Sequence, residues 1–403
     1  MNVGLEHMKA CENQGMIEPV RMKRQLLLLT ITGLWIVAVA QGQRLLGGDI
    51  SLLPSYEEQG TTYYDYNGRP VKPLQFFKQQ GWNAIRVRLF VEPKYAPQKH
   101  KDEGVCQDFD YVLRLGRRVL QTGLQLLLDL HYSDYWADPS KQTMPHMWQD
   151  TRHDDLPDSV YQYTRRTLTA LKQKGVVPKL IQVGNETTNG MLWPLGKIEW
   201  NHSGTVSDDA AAREQASWDY LCQLYEAGCR ACREVCPKSK IIIHTEKTDN
   251  WDFTNTYYQQ MRRHQVDYDI IGLSYYPMWQ GTVENLGKNL DRLAQHFPDK
   301  EVMIVETAAY YSHENDVWAT PDQYAEFYPV TVEGQVQFTR ELVTELKRHQ
   351  NVTGLFWWFP EENGSGNEVT KGWLNRGLFD NHTGRALPAM REFVKFTTPT
   401  SYR

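Results

Sequence analysis

Gly123-Leu124-Gln125-Leu126-Leu127-Leu128-Asp129-Leu130-His131-Tyr132 is the stretch on which the fold turns. A strand with one wet face alternates apolar and polar residues. This run instead stays apolar almost throughout, as expected of a parallel strand covered on both faces. It opens after a glycine suited to ending a helix and closes on Asp129, His131 and Tyr132, polar groups gathered at its C-terminal end. Lys240-Ile241-Ile242-Ile243-His244 repeats the pattern.

Working outward, strand-like runs recur at Leu45–Ser51, Asn83–Phe90, Lys179–Gly184, Tyr268–Tyr275, Glu301–Glu306 and Val352–Phe359. With the two runs above, at Leu124–Tyr132 and Lys240–Thr245, they make eight. Segments with apolar residues three and four apart lie between them: Lys72–Gln80, Phe109–Thr122, Asp158–Lys174, Asp208–Val235, Thr254–His264, Val283–Phe297 and Gly334–His349, with Leu387–Phe396 closing the series. Gly81, Gly123 and Gly175 sit where three of these helices should end. Strict alternation of eight strands and eight helices predicts an α/β fold, a single-domain (β/α)8 TIM barrel. A doubly wound open sheet is the alternative, but the first βα turn, Gly47-Gly48-Asp49, lacks a dinucleotide fingerprint.

The chain of 403 residues suits one such barrel with extended loops, and its net charge of -5 gives no reason to expect a nucleic-acid partner. It carries 13 Trp and 22 Tyr. These residues have polar tips that need partners when buried, so many should line a surface or a cleft, where sugar rings stack well. Lys23 and Arg24 precede an apolar run from Leu26 to Ala40 that ends Ala38-Val39-Ala40, the pattern of a secretory signal peptide starting at Met22. Residues 1–40 are therefore expected to be an extension and export signal, 41–403 the barrel, and the mature chain a secreted monomer with no membrane insertion. Five cysteines remain, Cys106, Cys222, Cys229, Cys232 and Cys236, an odd number that does not suggest a disulfide framework. Four share one helical face, where packing as small apolar groups is favoured over a metal site.

Active sites of such barrels form at the C-terminal strand ends. Those ends read Arg86 and Arg88; Asp129, His131 and Trp136; Asn185 and Glu186; His244, Glu246 and Asp249; Ser274, Tyr275, Tyr276 and Trp279; Glu306; and Trp357, Trp358, Glu361 and Glu362. Two carboxyls on such a rim can act as general acid and nucleophile on a glycosidic bond. Position alone leaves four candidates, Glu186, Glu246, Glu306 and Glu361. There is no zinc-spaced Cys/His cluster, no HExxH and no nucleophile elbow.

With these motifs in hand, the chain resembles glycoside hydrolase family 53, the endo-β-1,4-galactanases of clan A. The likeness runs from Gly47 to Phe393. It rests on Gly47-Gly48-Asp49-Ile50-Ser51, Arg86-Val87-Arg88, Asp129-Leu130-His131-Tyr132-Ser133-Asp134 with Trp136-Ala137-Asp138-Pro139, Gln182-Val183-Gly184-Asn185-Glu186, Ser274-Tyr275-Tyr276-Pro277, Val305-Glu306-Thr307 and Gly377-Leu378-Phe379-Asp380. The resemblance implies Glu186 as acid/base and Glu306 as nucleophile of a retaining hydrolase acting on galactan or arabinogalactan. It also implies Arg88 and Tyr275 holding the nucleophile and Asn185 bonding the sugar 2-hydroxyl. Trp136, Trp279 and Trp373 are candidate stacking platforms, with Asp249 and His131 as hydroxyl partners. No cofactor is required. The stretch Tyr310–Asp316 departs from the Asp-Gly-rich calcium loop of some bacterial members and leaves a structural calcium open. The competing readings are another clan A glycanase (mannanase, xylanase or glucanase) and a non-catalytic sugar-binding barrel.

Overall fold

The computed structural model describes residues 43–200, 207–314, 320–365 and 375–398. The expected export signal, Trp373, and Asn315 and Asp316 of the open calcium stretch lie outside the described residues. Eight parallel strands close into a barrel in sequence order. They are β1 Leu45–Asp49, β2 Ala84–Leu89, β3 Gln125–Leu130, β4 Leu180–Val183, β5 Lys240–Thr245, β6 Ile270–Tyr275, β7 Glu301–Thr307 and β8 Val352–Trp358. The main helix after each strand is α1 Pro73–Gln79, α2 Phe109–Gln121, α3 Leu156–Gln173, α4 Asp208–Val235, α5 Trp251–Arg263, α6 Val283–His296, α7 Val332–Arg348 and α8 Ala389–Phe393. This is the single-domain (β/α)8 barrel that the alternation predicts.

Local chemistry sets the helix ends. Asp108, Ser207, Asn250, Thr282 and Thr331 accept backbone N–H groups at the starts of α2, α4, α5, α6 and α7. Gly81, Gly123 and Gly175 follow α1, α2 and α3 with φ of 98°, 77° and 79°, the left-handed turn that releases the chain toward the next strand. Cys222, Cys229, Cys232 and Cys236 are buried and unpaired, and burial pushes their thiols up. Among the described residues no group of three or more His, Cys, Asp or Glu could hold a metal, and no helix is long and apolar enough to cross a membrane.

Two cores result. The larger lies between strands and helices. The smaller fills the barrel's interior with Leu45, Ala84, Leu127, Leu180, Ile242, Ile270, Met303, Val305 and Phe356. Residues two further along face the same way, so Ala84 leads to Arg86, Leu127 to Asp129, Leu180 to Gln182 and Ile242 to His244. A polar layer thus stands directly on the apolar plug. Strand β7 breaks this parity. Its register against β6 runs Leu273↔Ile304 and then Ser274↔Glu306, skipping Val305. That bulge lets Val305 fill the plug while the adjacent Glu306 also turns into the barrel.

Candidate active site

Arg86 is the hub of the polar layer. Its Nη1 meets Asp49 Oδ2 at 2.8 Å, and its Nη2 lies 2.8 Å from each of Asp129 Oδ2, Glu306 Oε1 and Asn185 Oδ1. Burial by itself would lower the Arg86 pKa, but Asp129, Glu306 and Asp49 outweigh it and hold the guanidinium charged. Tyr276, which shares the inward face with Ser274, donates its hydroxyl to Glu306 Oε2 at 3.1 Å. Both oxygens of Glu306 are therefore oriented.

Glu186 follows β4 at φ 44°, ψ 50°, a left-handed conformation that costs a non-glycine residue about 1–2 kcal/mol. The surroundings hold it there. Gln142 Nε2 donates to the carbonyls of Asn185 and Glu186 at 2.8 and 3.2 Å, and the Thr187 hydroxyl is tied to Tyr225 and Tyr257. The Glu186 carboxyl accepts from Ser274 Oγ at 2.6 Å.

The two carboxyls titrate differently. Burial first, then the charges of Glu306 and Glu246, push Glu186 well above the ordinary glutamate range. Burial also raises Glu306, but Arg86 opposes it. Glu186 is thus the member of the pair that keeps a proton, and Glu306 the one that ionises first.

A cleft of about 490 Å³ opens over this pair. Arg88, His131, Trp136, Asn185, Trp279 and Trp358 contribute to its lining, together with Glu246 and Arg376. Trp279 is 42% exposed and offers a free surface, whereas Trp136 is nearly covered.

Several expected placements need correction. Arg88 does not hold Glu306, the expected nucleophile. It pairs with Asp49 at 3.0 Å and lies 4.4 and 4.7 Å from the Trp136 and Phe359 ring centroids; Arg86, two residues earlier, reaches Glu306. Tyr275 faces out of the barrel and donates to the Gly281 carbonyl at 2.8 Å, leaving Glu306 to Tyr276. Asp249 is exposed and absent from the cleft lining. His131 borders the cleft with both ring nitrogens engaged, Nε2 by Asp129 at 2.9 Å and Nδ1 by the Ala137 N–H at 3.3 Å. Asn185 spends its oxygen on Arg86 and one amide hydrogen on the Ala137 carbonyl at 2.8 Å, which leaves one N–H for a ligand. In the stretch considered for calcium, the Glu314 carboxylate accepts from Ser312 and Asn381.

An aromatic-walled cleft over two glutamates with buried carboxyls, at the C-terminal end of a (β/α)8 barrel, defines a glycoside hydrolase. The model of glycosyl hydrolase family 53 matches residues 45–393, and the chain belongs to that family. It is 28% identical to an endo-β-1,4-galactanase of Bacillus subtilis over 87% of this chain and 78% of that one. It is 31% identical to a probable arabinogalactan endo-β-1,4-galactanase A of Neosartorya fischeri over 78% and 83%. Among solved structures, the family 53 catalytic domain of Ignisphaera aggregans superposes with a TM-score of 0.77 at 29% identity, covering 87% of this chain and 95% of that one. A fungal β-1,4-galactanase does so with 0.69 at 26%, covering 87% and 98%.

Proposed function

We propose that the chain is a secreted, retaining endo-β-1,4-galactanase acting on galactan or arabinogalactan, with Glu186 as acid/base and Glu306 as nucleophile. Two glutamates facing one cleft, Glu306 held by Arg86 and Tyr276 and Glu186 by Ser274, carry this reading. In the first step Glu306 attacks the anomeric carbon while Glu186 protonates the departing glycosidic oxygen. Attack neutralises Glu306, which removes the like charge that adds to burial in keeping Glu186 protonated. The deprotonated Glu186 then takes a proton from water as that water breaks the glycosyl ester. Rate should fall as pH drops through the Glu306 pKa, where the nucleophile is protonated. It should fall again as pH rises through the Glu186 pKa, where the acid is lost.

Side chains supply the acid, the nucleophile and the charge stabilisation, so the reading requires no cofactor. A structural calcium is tested separately by thermal unfolding with calcium and with chelator, since a shift in Tm would add an ion. Export through residues 1–40 is tested by sequencing the N-terminus of the secreted protein.

The deciding experiment is a panel of linear β-1,4-galactan, mannan, xylan and glucan. Galacto-oligosaccharides from galactan alone, with β configuration at the new reducing end by proton NMR, support the proposal. Cleavage of another polymer instead, or an α product, rejects it. No cleavage of any would favour a binding barrel. Trp279→Ala should raise KM on galactan about tenfold with kcat nearly unchanged, because an exposed ring on the cleft wall contributes contact area rather than chemistry. An unchanged KM would remove Trp279 from the binding surface.

A further inference from the structure

Behind Glu186 stands a pair of buried side chains that the two-step mechanism does not call upon. The Ser274 hydroxyl lies 2.6 Å from Glu186 Oε1, and His244 Nε2 lies 2.9 Å from the same hydroxyl. Both residues are fully buried. The other ring nitrogen, Nδ1, receives the backbone N–H of Glu186 at 3.3 Å. A backbone N–H only donates, so Nδ1 is the bare nitrogen and the imidazole hydrogen sits on Nε2. Asn185 Oδ1 also lies 3.1 Å from Nδ1. That oxygen already accepts from Arg86, and Gln182 Nε2, which gives one hydrogen to Asp129 Oδ1 at 2.7 Å, stands 3.1 Å from both atoms with its second. Burial and the nearby Arg86 and His131 push the His244 pKa well down, which keeps the ring neutral.

The direction of the chain is then determined. His244 Nε2–H donates to Ser274 Oγ, so the serine hydrogen cannot point back at the ring. It points at Glu186 Oε1.

We propose that Ser274 and His244 are positioning residues that fix which oxygen of Glu186 carries the catalytic proton. Because Ser274 always donates to Oε1, that oxygen is an acceptor in both protonation states, and the proton resides on Oε2. In the first step the Oε2–H bond breaks, its proton joins the glycosidic oxygen, and the bond electrons stay on Oε2. In the second step the same Oε2 takes a proton from water. The hydrogens of Ser274 and His244 do not move. One oxygen serves both half-reactions, with no carboxyl rotation between them. This inference rests on Glu186 being the acid/base.

Glu306, Glu246 (paired with Lys247), Asp138 (paired with Lys141) and Tyr276 also face Glu186. A substitution at Ser274 leaves all of them in place, so its effect on Glu186 can be read alone.

The test compares Ser274→Ala and Ser274→Thr with the wild type on two substrates. Galactan needs its leaving oxygen protonated, whereas a dinitrophenyl β-galactobioside does not. Ser274→Ala should lower kcat/KM on galactan about 10- to 50-fold and move its alkaline limb to higher pH, since a hydrogen bond that favours the charged form is lost. On the dinitrophenyl substrate kcat/KM should stay within about threefold, and Ser274→Thr should restore galactan turnover. Equal losses on both substrates, or an unmoved alkaline limb, overturn the proposal. Should the alanine variant fail to fold, Ser274→Cys keeps the shape with a weaker donor and serves the same comparison. Carbon-13 NMR titration of labelled glutamates, with Glu186 assigned by its loss in Glu186→Gln, gives a readout without substrate. A Glu186 pKa unchanged by Ser274→Ala overturns the proposal even in a protein that cleaves no galactan, whereas galactan inactivity of the wild type bears on the proposed function alone.

Discussion

Glu306→Ala is expected to lower turnover on galactan by about four to six orders of magnitude, the range seen when a covalent nucleophile is deleted. The loss follows from geometry. Glu306 is the carboxylate that Arg86 and Tyr276 orient from two sides. Removing Glu186 should cost comparably on galactan but much less on substrates whose leaving group needs no proton. Azide separates the two variants. In Glu306→Ala it can enter the space of the missing carboxylate and attack from that face, giving an α-galactosyl azide. In Glu186→Ala the covalent intermediate still forms, and azide arriving from the other face gives the β product. Both variants yielding the same anomer, or either turning over at near wild-type rate, would sink the assignment. The folded state should survive both changes, because each removes a buried carboxyl whose pKa burial has raised.

Arg86→Ala should instead damage the fold. It strips Asp129 and Glu306 of their guanidinium and leaves Asp49 with Arg88 alone. Uncompensated buried charge costs about 3–5 kcal/mol. The pH dependence follows from the sign of the shift. Burial already raises the Glu306 carboxyl, and without Arg86 to oppose it the folded-state pKa of Glu306 rises further above its unfolded value. Its contribution to stability is then present at low pH, where Glu306 is neutral, and lost as pH rises through that folded value. Chemical denaturation at pH 7 and pH 5 should find the deficit large at the first and smaller at the second. A variant within about 1 kcal/mol of wild type at pH 7 would show the hub to be dispensable. Arg86→Lys should recover part of the stability but not the activity, since an ammonium cannot serve four acceptors from two nitrogens in one plane.

The barrel was legible because its evidence is spread along the chain. Every strand run from Leu45 to Phe359 became a strand, trimmed by a residue or two at most ends, and Lys240–Thr245 matched outright. The short helices Leu53–Glu58, Gln98–Asp102, Pro277–Gln280 and Pro321–Ala325 went unread, being too brief to show a period. The site was legible in its residue types and less so in its facing. Period-two counting from Ile270 puts Ser274 and Tyr276, not Tyr275, on the inner face; that signal was present in the sequence. Choosing Arg86 over Arg88 was harder, because both point inward and only reach separates them. The β7 bulge leaves no trace in the residues around Val305, yet it turns Glu306 inward. Asp249 looked like a rim residue by position but is exposed and absent from the cleft lining.

The four thiols buried along α4 bear on how this protein dies rather than on how it works. While the barrel is closed, burial keeps them protonated and out of reach of oxidants. Opening α4 releases all four within fifteen residues of chain, from Cys222 to Cys236. In an oxidising exterior such neighbours cross-link readily, and a chain so linked cannot rewind the helix. For the exported protein proposed above, survival is then governed by the rate of first opening, a kinetic lifetime, and not by the equilibrium between folded and unfolded forms.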